Sequence, residues 1–207
     1  MTLPIRRAAP LLAVLAVLAA SHAHAQQGSR SDGFVDFRYA SRSSLALFGG
    51  YQSGSTLLIV GMVQNPRTEY REVVGGAARV LGGGSASMTV ALAGADASDG
   101  VYGQLYLLPS VAAGPVAVSG LVQVYTPLDS EGAAQFYINP VRALVAVGGR
   151  VSVGPSYALS TQTGTDPRHS AGPAIQLNMP NWSATLTAFA GLGRNPGEVW
   201  MSIHAGL

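Results

Sequence analysis

Apolar and polar side chains alternate along much of this chain. In the stretch 182–190 the apolar or small residues Trp182, Ala184, Leu186, Ala188 and Ala190 alternate with Ser183, Thr185, Thr187 and Phe189. The same period of two recurs in 116–125 and in 199–207. Successive side chains of a β-strand point to opposite faces, so this period indicates strands with one apolar face. The pattern predicts an all-β fold.

Turn residues between the alternating stretches divide the chain into about twelve strands. The predicted strands are 34–40, 45–52, 56–64, 70–81, 86–95, 101–108, 115–125, 133–147, 150–160, 171–179, 182–192 and 197–207. Pro140 falls inside the eighth strand and has no N–H for the ladder, so we expect a bulge there or a strand that begins at Val141. For this reason a barrel of eight or ten strands with a folded-in outer loop stays open as an alternative.

The connections between the predicted strands are of two kinds. Those after odd-numbered strands carry charge and are mostly longer, as with Asp129 and Glu131 or with Asp166 and Arg168. Those after even-numbered strands are mostly short and uncharged, as at 82–85. Membrane barrels with both termini in the periplasm combine long outer loops with tight inner turns. The sorting therefore favours a transmembrane antiparallel up-and-down β-barrel over a soluble sandwich.

The composition agrees with a chain that does not expose its whole surface to water. Only 11% of the residues are charged, less than half of the roughly 25% usual in globular domains. The most apolar stretch beyond the N-terminal region, 141–153, contains Arg142 and Arg150 and is not a continuous apolar span. Low charge without apolar spans leaves a membrane barrel or an unusually uncharged secreted β protein. The chain has no cysteine, which excludes disulfides and thiolate chemistry.

The first residues have the features of an export signal. Arg6 and Arg7 precede an apolar run at 11–20, and Ala23 and Ala25 supply the small residues of a cleavage site. The apolar run is shorter than the ~20 residues that a membrane-spanning helix requires. We therefore expect a signal peptide that is removed during export.

Removal of this peptide changes the charge of the mature chain. Two of the twelve basic residues, all of them arginines, leave with the peptide, and ten then balance the ten Asp and Glu residues. A neutral chain gives no reason to expect a nucleic-acid partner. His22 and His24 also leave, so they are not metal ligands. The predicted organisation is a cleaved secretory signal peptide at 1–25, a short N-terminal segment at 26–33 and a β-barrel domain at 34–207.

The last ten residues, EVWMSIHAGL at 198–207, alternate up to the final position. Together with the leader and the alternation, this stretch resembles bacterial outer-membrane β-barrel proteins as a broad class, although Leu207 replaces their usual terminal aromatic residue. The resemblance implies a location in the outer membrane, with outer-membrane lipid and the barrel insertion machinery as partners. It carries over no functional residue and leaves the oligomeric state open.

Candidate catalytic groups are few. Asp166, His169 and Ser170 share one predicted outer loop, and Glu198, Ser202 and His204 share one face of the last strand. Proximity in sequence does not give the three-dimensional geometry of a triad. We interpret the first group as loop residues and the second as polar lining of the lumen. No cofactor motif and no metal-ligand spacing occurs.

Strand parity predicts which polar residues line the barrel interior. The candidates are Arg38, Arg79, Arg142, Arg150, Asp36, Gln104, Gln123, Gln176 and His204. An arginine on the lipid face near mid-membrane costs roughly 2–4 kcal/mol, which also favours the inward assignment. Four arginines leave the wall net positive, and guanidinium groups favour anions.

Three classes of function remain open at this point. The first is a narrow passive channel with weak anion preference, or a purely structural barrel whose interior is plugged. The second is a barrel enzyme that acts on envelope lipid. The third is a soluble secreted β-sandwich used for binding or adhesion. The absence of a convincing catalytic group favours the first class over the second.

Overall fold

The computed structural model describes residues 32–42, 44–53, 56–129, 132–192 and 196–207. The predicted signal peptide and most of the N-terminal segment lie outside these residues. The strands are β1 (Asp32–Ala40), β2 (Ser44–Ser53), β3 (Thr56–Asn65), β4 (Tyr70–Gly83), β5 (Ala86–Ala97), β6 (Gly100–Ala113), β7 (Val116–Ser119), β8 (Val122–Pro127), β9 (Gln135–Gly148), β10 (Val151–Gln162), β11 (Arg168–Asn178), β12 (Trp182–Gly191) and β13 (Glu198–Gly206).

These strands form one closed antiparallel sheet. Apart from β7 and β8, strands that follow each other in the chain are paired, and β13 pairs with β1, as in Phe34↔Gly206, to close the ring. The short strands β7 and β8 both pair with β6 and with β9, so together they occupy one position of the barrel. The all-β prediction and the count of twelve are confirmed. The single closed sheet is neither a sandwich nor a barrel of eight or ten strands.

The predicted irregularity at Pro140 is a bulge. Tyr157 of β10 pairs with Val141, whereas Leu159 pairs with Ile138, so one residue of β10 is opposed by two of β9. Such an extra residue marks a β-bulge and reorients the side chains beyond it. Strand β9 therefore continues through Pro140 and does not begin at Val141.

The connections are sorted between the two ends of the barrel, as predicted. Tight connections at 84–85, 114–115, 149–150 and 179–181 lie at the same end as the start of β1 and the end of β13. The opposite end carries longer connections at 66–69, 128–134, 163–167 and 192–197, with shorter ones at 41–43 and 98–99. We call these the turn end and the loop end.

The two faces of the sheet differ in burial. The buried hydrophobic cluster lies inside the barrel and includes Phe48, Val74, Tyr102 and Tyr106. Large apolar side chains on the outer face are exposed, for example Leu92 at 67%. An apolar outer face is what a barrel presents to lipid. Among the described residues no helix is long and apolar enough to cross a membrane.

Candidate functional site: the barrel lumen

A cavity of about 820 Å³ occupies part of the barrel interior. At the loop end its lining includes Thr165 and Asp166, from the connection between β10 and β11. At the other end it includes Ser87 and Ser110, which stand close to the tight turns 84–85 and 114–115. The cavity therefore extends over most of the height of the barrel wall. It is the candidate functional site.

One wall of the lumen is filled by a hydrogen-bonded cluster around Glu72, whose residue surface is only 3% exposed. The hydroxyl of Tyr70 donates to Oε2 of Glu72 at 2.7 Å, and the amide of Gln104 donates to Oε1. The hydroxyl of Tyr106 donates in turn to Oε1 of Gln104. We call Tyr70, Glu72, Gln104 and Tyr106 the Glu72 cluster. Its hydrogen bonds supply the partners that a buried carboxylate needs.

Small side chains on β5 allow this cluster to form. Glu72 lies on β4 and Gln104 on β6, with β5 between them. The inward residue of β5 that pairs with Gln104 is Ala93, and its neighbours on the same face are Ala91 and Ala95. Because these side chains are methyl groups, longer side chains from the two flanking strands meet above them.

Further polar contacts continue along the same wall onto β8 and β9. The hydroxyl of Tyr137 donates to Oε1 of Gln135. The amide of Asn139 donates to Oε1 of Gln123 at 2.9 Å. Tyr125 packs edge-on against Tyr137, with ring centroids 5.5 Å apart. These bonded side chains cross-brace the wall and narrow the lumen from this side.

Arg38 stands on the opposite part of the lumen wall, on β1. Its Nε donates to Oδ1 of Asp36 at 2.6 Å. Its guanidinium carbon lies 5.4 Å from the centroid of the Phe48 ring, in a cation–π arrangement. Nδ1 of His204 is 3.5 Å from Oδ2 of the same carboxylate. The charge of Arg38 is therefore largely balanced by Asp36.

Arg142 has a different environment. It lines the cavity from β9, which is separated from β1 by four strands on one side of the ring and so lies nearly opposite. Its guanidinium is close enough to interact electrostatically with Arg38 and Asp36. Its Nε is buried and has no hydrogen-bond partner in the described part of the chain. Buried guanidinium groups are usually paired, so an inward arginine without an acceptor is unusual.

Seven of the nine predicted lumen residues lie on the inward face of the barrel. Asp36, Arg38, Gln123 and Arg142 line the cavity, while Gln104 belongs to the Glu72 cluster. The other two lie nearer the turn end. Gln176 accepts a hydrogen bond from Thr185, and His204 contacts Asp36.

Arg79 and Arg150, the other two predicted lumen residues, do not lie on the inward face, so their assignment to the lumen was wrong. Arg79 pairs with Val90, one position away from the inward pair Ala78 and Ala91, so it stands on the outer face of β4. It lies four residues before the end of that strand and is exposed, which lets its long side chain reach the membrane–water interface. Arg150 lies in the tight turn after β9, where its Nη1 is 3.5 Å from Sδ of Met179.

The sequence analysis also missed one inward charge. Glu72 was not among the predicted lumen residues, yet it is inside the barrel. Strand parity was the sequence signal that could have placed Glu72 inside, because Glu72 shares a face of β4 with Tyr70 and Val74. A carboxylate within a barrel strand is far better placed facing the interior than facing lipid.

The two candidate catalytic groups do not assemble. Asp166 and Ser170 line the lumen, whereas the Nδ1 of His169 is 2.7 Å from the hydroxyl of Tyr157 on the outer face. In the other group, Glu198 accepts a hydrogen bond from the backbone N–H of Arg42 at 2.9 Å. His204 instead faces Asp36. The described residues also contain no cluster of three or more acidic or histidine side chains that could hold a metal ion.

No family model matches the sequence, and no curated protein does. Solved structures do match. The KdgM porin, solved in complex with a disordered oligogalacturonate, has a TM-score of 0.59 at 10% identity, and the match covers 84% of this chain and 99% of KdgM. The NanC porin has a TM-score of 0.55 at 10% identity, covering 83% of this chain and 97% of NanC.

A third similar structure is the Acinetobacter baumannii outer-membrane protein Omp33, with a TM-score of 0.50 at 10% identity, covering 86% of this chain and 98% of Omp33. The fold is that of outer-membrane porins. The predicted resemblance to outer-membrane β-barrel proteins is therefore confirmed for the fold. Identities this low show no more than the fold, so the lumen of this chain must be interpreted from its own residues.

Proposed function

We propose that this protein is an outer-membrane β-barrel that acts as a narrow passive channel with a weak preference for anions. The apolar outer face of the closed sheet suits lipid, and the cavity extends from the loop end to residues near the turn end. Diffusion through such a lumen requires no catalytic group. The proposal also keeps the cleaved signal peptide at 1–25 as the route of export.

The charge of Arg142 is the observation that carries the anion preference. Within the lumen, Asp36 balances Arg38. The carboxylate of Glu72 accepts hydrogen bonds from Tyr70 and Gln104. Arg142 is left as the inward guanidinium whose Nε has no hydrogen-bond partner among the described residues. A guanidinium with free donors attracts anions by its field and by hydrogen bonds.

The preference should be weak, because the mouth carries both signs of charge. At the loop end the cavity is also lined by Asp99, Asp166 and Glu198, together with Arg42 and Arg168. These groups stand close to solvent, where salt screens them over about 8–10 Å. The source of the preference is therefore one inward arginine and not the ring of four that parity alone predicted.

The chemistry of the solute follows from the same guanidinium. Carboxylates and phosphates accept two parallel hydrogen bonds from arginine and are the anions that it holds best. The oligogalacturonate in the KdgM structure is a solute with carboxylate groups. An acidic oligosaccharide is therefore a sensible test solute for this chain, beside simple carboxylates.

Membrane residence is tested by fractionation of cells that express the full chain. We expect the mature protein to stay with outer membranes through a carbonate wash and to migrate differently on gels before and after boiling. The N-terminal residue of the purified protein should be Gln26. Recovery as a detergent-free monomer from the periplasm would disprove the membrane proposal.

Channel activity is tested with the purified barrel in planar bilayers under a salt gradient. We expect discrete conductance steps and a small reversal potential of the sign that indicates anion preference. A barrel that inserts without conductance would show that the Glu72 cluster and its neighbours plug the lumen. A reversal potential of the opposite sign would refute the role given to Arg142.

A further inference from the structure

Strand β9 changes the parity of its inward residues partway along its length. Near its start, Gln135 pairs with Tyr125, and odd-numbered residues face the lumen. Farther along, Arg142 pairs with Ser119, and even-numbered residues face the lumen. In a regular strand this change cannot occur, because side chains alternate strictly between the two faces.

The change coincides with one extra residue in β9. On the β10 side, Ala158 alone lies between the pairs Tyr157↔Val141 and Leu159↔Ile138. On the other side, Ser119 pairs with Arg142, and Val122 pairs with Ile138. The two residues 120 and 121 therefore lie opposite the three residues 139–141 of β9. Both neighbours are offset at the same place, whereas β7 and β8 stay in one continuous register against β6. The extra residue therefore belongs to β9 and lies at positions 139–141.

Local contacts hold this bulge in place. The backbone N–H of Asn139 donates to the carbonyl of Leu121 at 2.7 Å, and its side-chain amide donates to Gln123 at 2.9 Å. Pro140 has no N–H, so it loses no ladder hydrogen bond where the register is broken. A Cβ at Gly120 would lie 2.7 Å from Cγ2 of Val141, so the strand opposite the bulge has no room for a side chain there.

We propose that the Asn139–Pro140 bulge is the positioning element that turns Arg142 into the lumen and thereby sets the anion preference. If all of these residues formed a regular strand without the bulge, the parity of Gln135 and Tyr137 would continue to Val141 and Ala143. Arg142 would then face lipid, and the lumen would lose its uncompensated cation. The orientation follows from the register alone, while its effect on selectivity rests on the proposed function.

The parity change can be measured in the natural strand by single-cysteine scanning, since the chain has no cysteine of its own. Cysteines are placed singly at 135–138 and at 142–145, and the barrel in vesicles is treated with a charged, water-soluble thiol reagent. We expect several-fold faster reaction at 135, 137, 142 and 144 than at 136, 138, 143 and 145. Uninterrupted alternation from 135 to 145 would overturn the proposal.

The causal role of the extra residue is tested by changing the residue count. Deletion of Pro140 removes the extra residue, so regular alternation from 135 and 137 reaches position 142 and not 143, and a cysteine at 142 should stay reactive. Pro140→Ala keeps the count and should keep the reactivity at 142. A move of the reactive position from 142 to 143 in the folded deletion variant would refute the assignment of one extra residue to 139–141. Folding is checked by the gel shift on heating.

Labelling and selectivity separate this inference from the channel proposal. If the labelling pattern is as expected but the barrel does not conduct, the bulge still orients Arg142 and the channel proposal fails. If the barrel prefers anions and 142 does not react, the positioning proposal fails and the preference has another source. With both proposals correct, deletion of Pro140 and Pro140→Ala should both retain the anion preference, and Arg142→Gln should lose it.

Discussion

Arg38 and Asp36 form an ion pair inside the barrel, with Nε of Arg38 2.6 Å from Oδ1 of Asp36. The two residues are two positions apart on β1, so their side chains share one face of the strand. Because the two charges neutralise each other, Arg38 does not add to the net positive charge of the lumen. The pairing leaves Arg142, on the far wall, as the inward guanidinium whose Nε has no hydrogen-bond partner in the described part of the chain.

Removal of the Asp36 carboxylate should therefore increase the anion preference of the channel. In Asp36→Asn the guanidinium of Arg38 loses its counter-charge, and the lumen then presents two uncompensated arginines. We expect the reversal potential in a salt gradient to shift further in the anion direction. Asp96→Asn is the matched control, because Asp96 pairs with Val101 on the outer face of the sheet. An unchanged value for Asp36→Asn, or equal shifts in both variants, would contradict this balance of charges.

The Glu72 cluster should contribute to the stability of the barrel. Glu72→Ala leaves the Tyr70 hydroxyl and the Gln104 amide without their acceptor, and each buried unsatisfied group costs about 1–3 kcal/mol. We expect a lower free energy of unfolding in denaturant titrations of the barrel in vesicles. Glu72→Gln keeps an acceptor oxygen in the same place and should lose less. Equal stability of Glu72→Ala and the natural protein would show that the cluster is not structural.

Gly154 should not tolerate a side chain, for reasons of space. A Cβ there would lie 1.9 Å from the carbonyl oxygen of Ala143, which is backbone and cannot move aside. Overpacking of this kind costs typically 1–3 kcal/mol, so Gly154→Ala should destabilise the barrel. Around a Cβ at Gly94, on the outer face, no atom lies within 4 Å. Gly94→Ala should be neutral within about 1 kcal/mol, and similar losses in the two variants would refute the packing explanation.

The orientation of the barrel follows from its two ends. The loop end should face the cell exterior and the turn end the periplasm, as in outer-membrane barrels generally. A cysteine at Thr165 should react with an impermeant thiol reagent on whole cells. A cysteine at Asn181 should react only after the outer membrane is opened. The reverse pattern would invert the proposed topology.

The fold could be predicted closely because period-two alternation and turn residues are local signals. Even the bulge was foreseeable, since Pro140 cannot take part in a regular ladder. The sorting of the connections added one non-local prediction, that the barrel begins and ends at the same end. Pairing of β13 with β1 agrees with that prediction.

The lining of the lumen was less predictable, for a reason visible in β4. Small and apolar residues occupy both faces of this strand, so its alternation is weak. Arg79 was assigned to the lumen by parity, and the cost of arginine in lipid supported that assignment. That cost falls to about 0–1 kcal/mol near the interface, where Arg79 lies. Glu72, an odd number of residues away, is consequently on the other face, inside the barrel.

Contacts across the lumen were not accessible from the sequence at all. Asp36 and Arg38 lie two positions apart on one strand, so their pairing is local. Whether Arg142 has a carboxylate partner depends on strands that are far apart in the chain, and only the closed ring shows that its Nε lacks an acceptor among the described residues. The selectivity proposal therefore depends on the structure.

The most direct test compares two arginines that differ in the face they occupy. The reversal potential of the purified barrel is measured in a salt gradient for the natural protein, for Arg142→Gln and for Arg79→Gln. Both variants remove one positive charge, but Arg142 lines the lumen and Arg79 stands outside it. We predict that the anion preference disappears in Arg142→Gln and is unchanged in Arg79→Gln. Loss of the preference in Arg79→Gln alone, or in neither variant, would contradict the proposed channel.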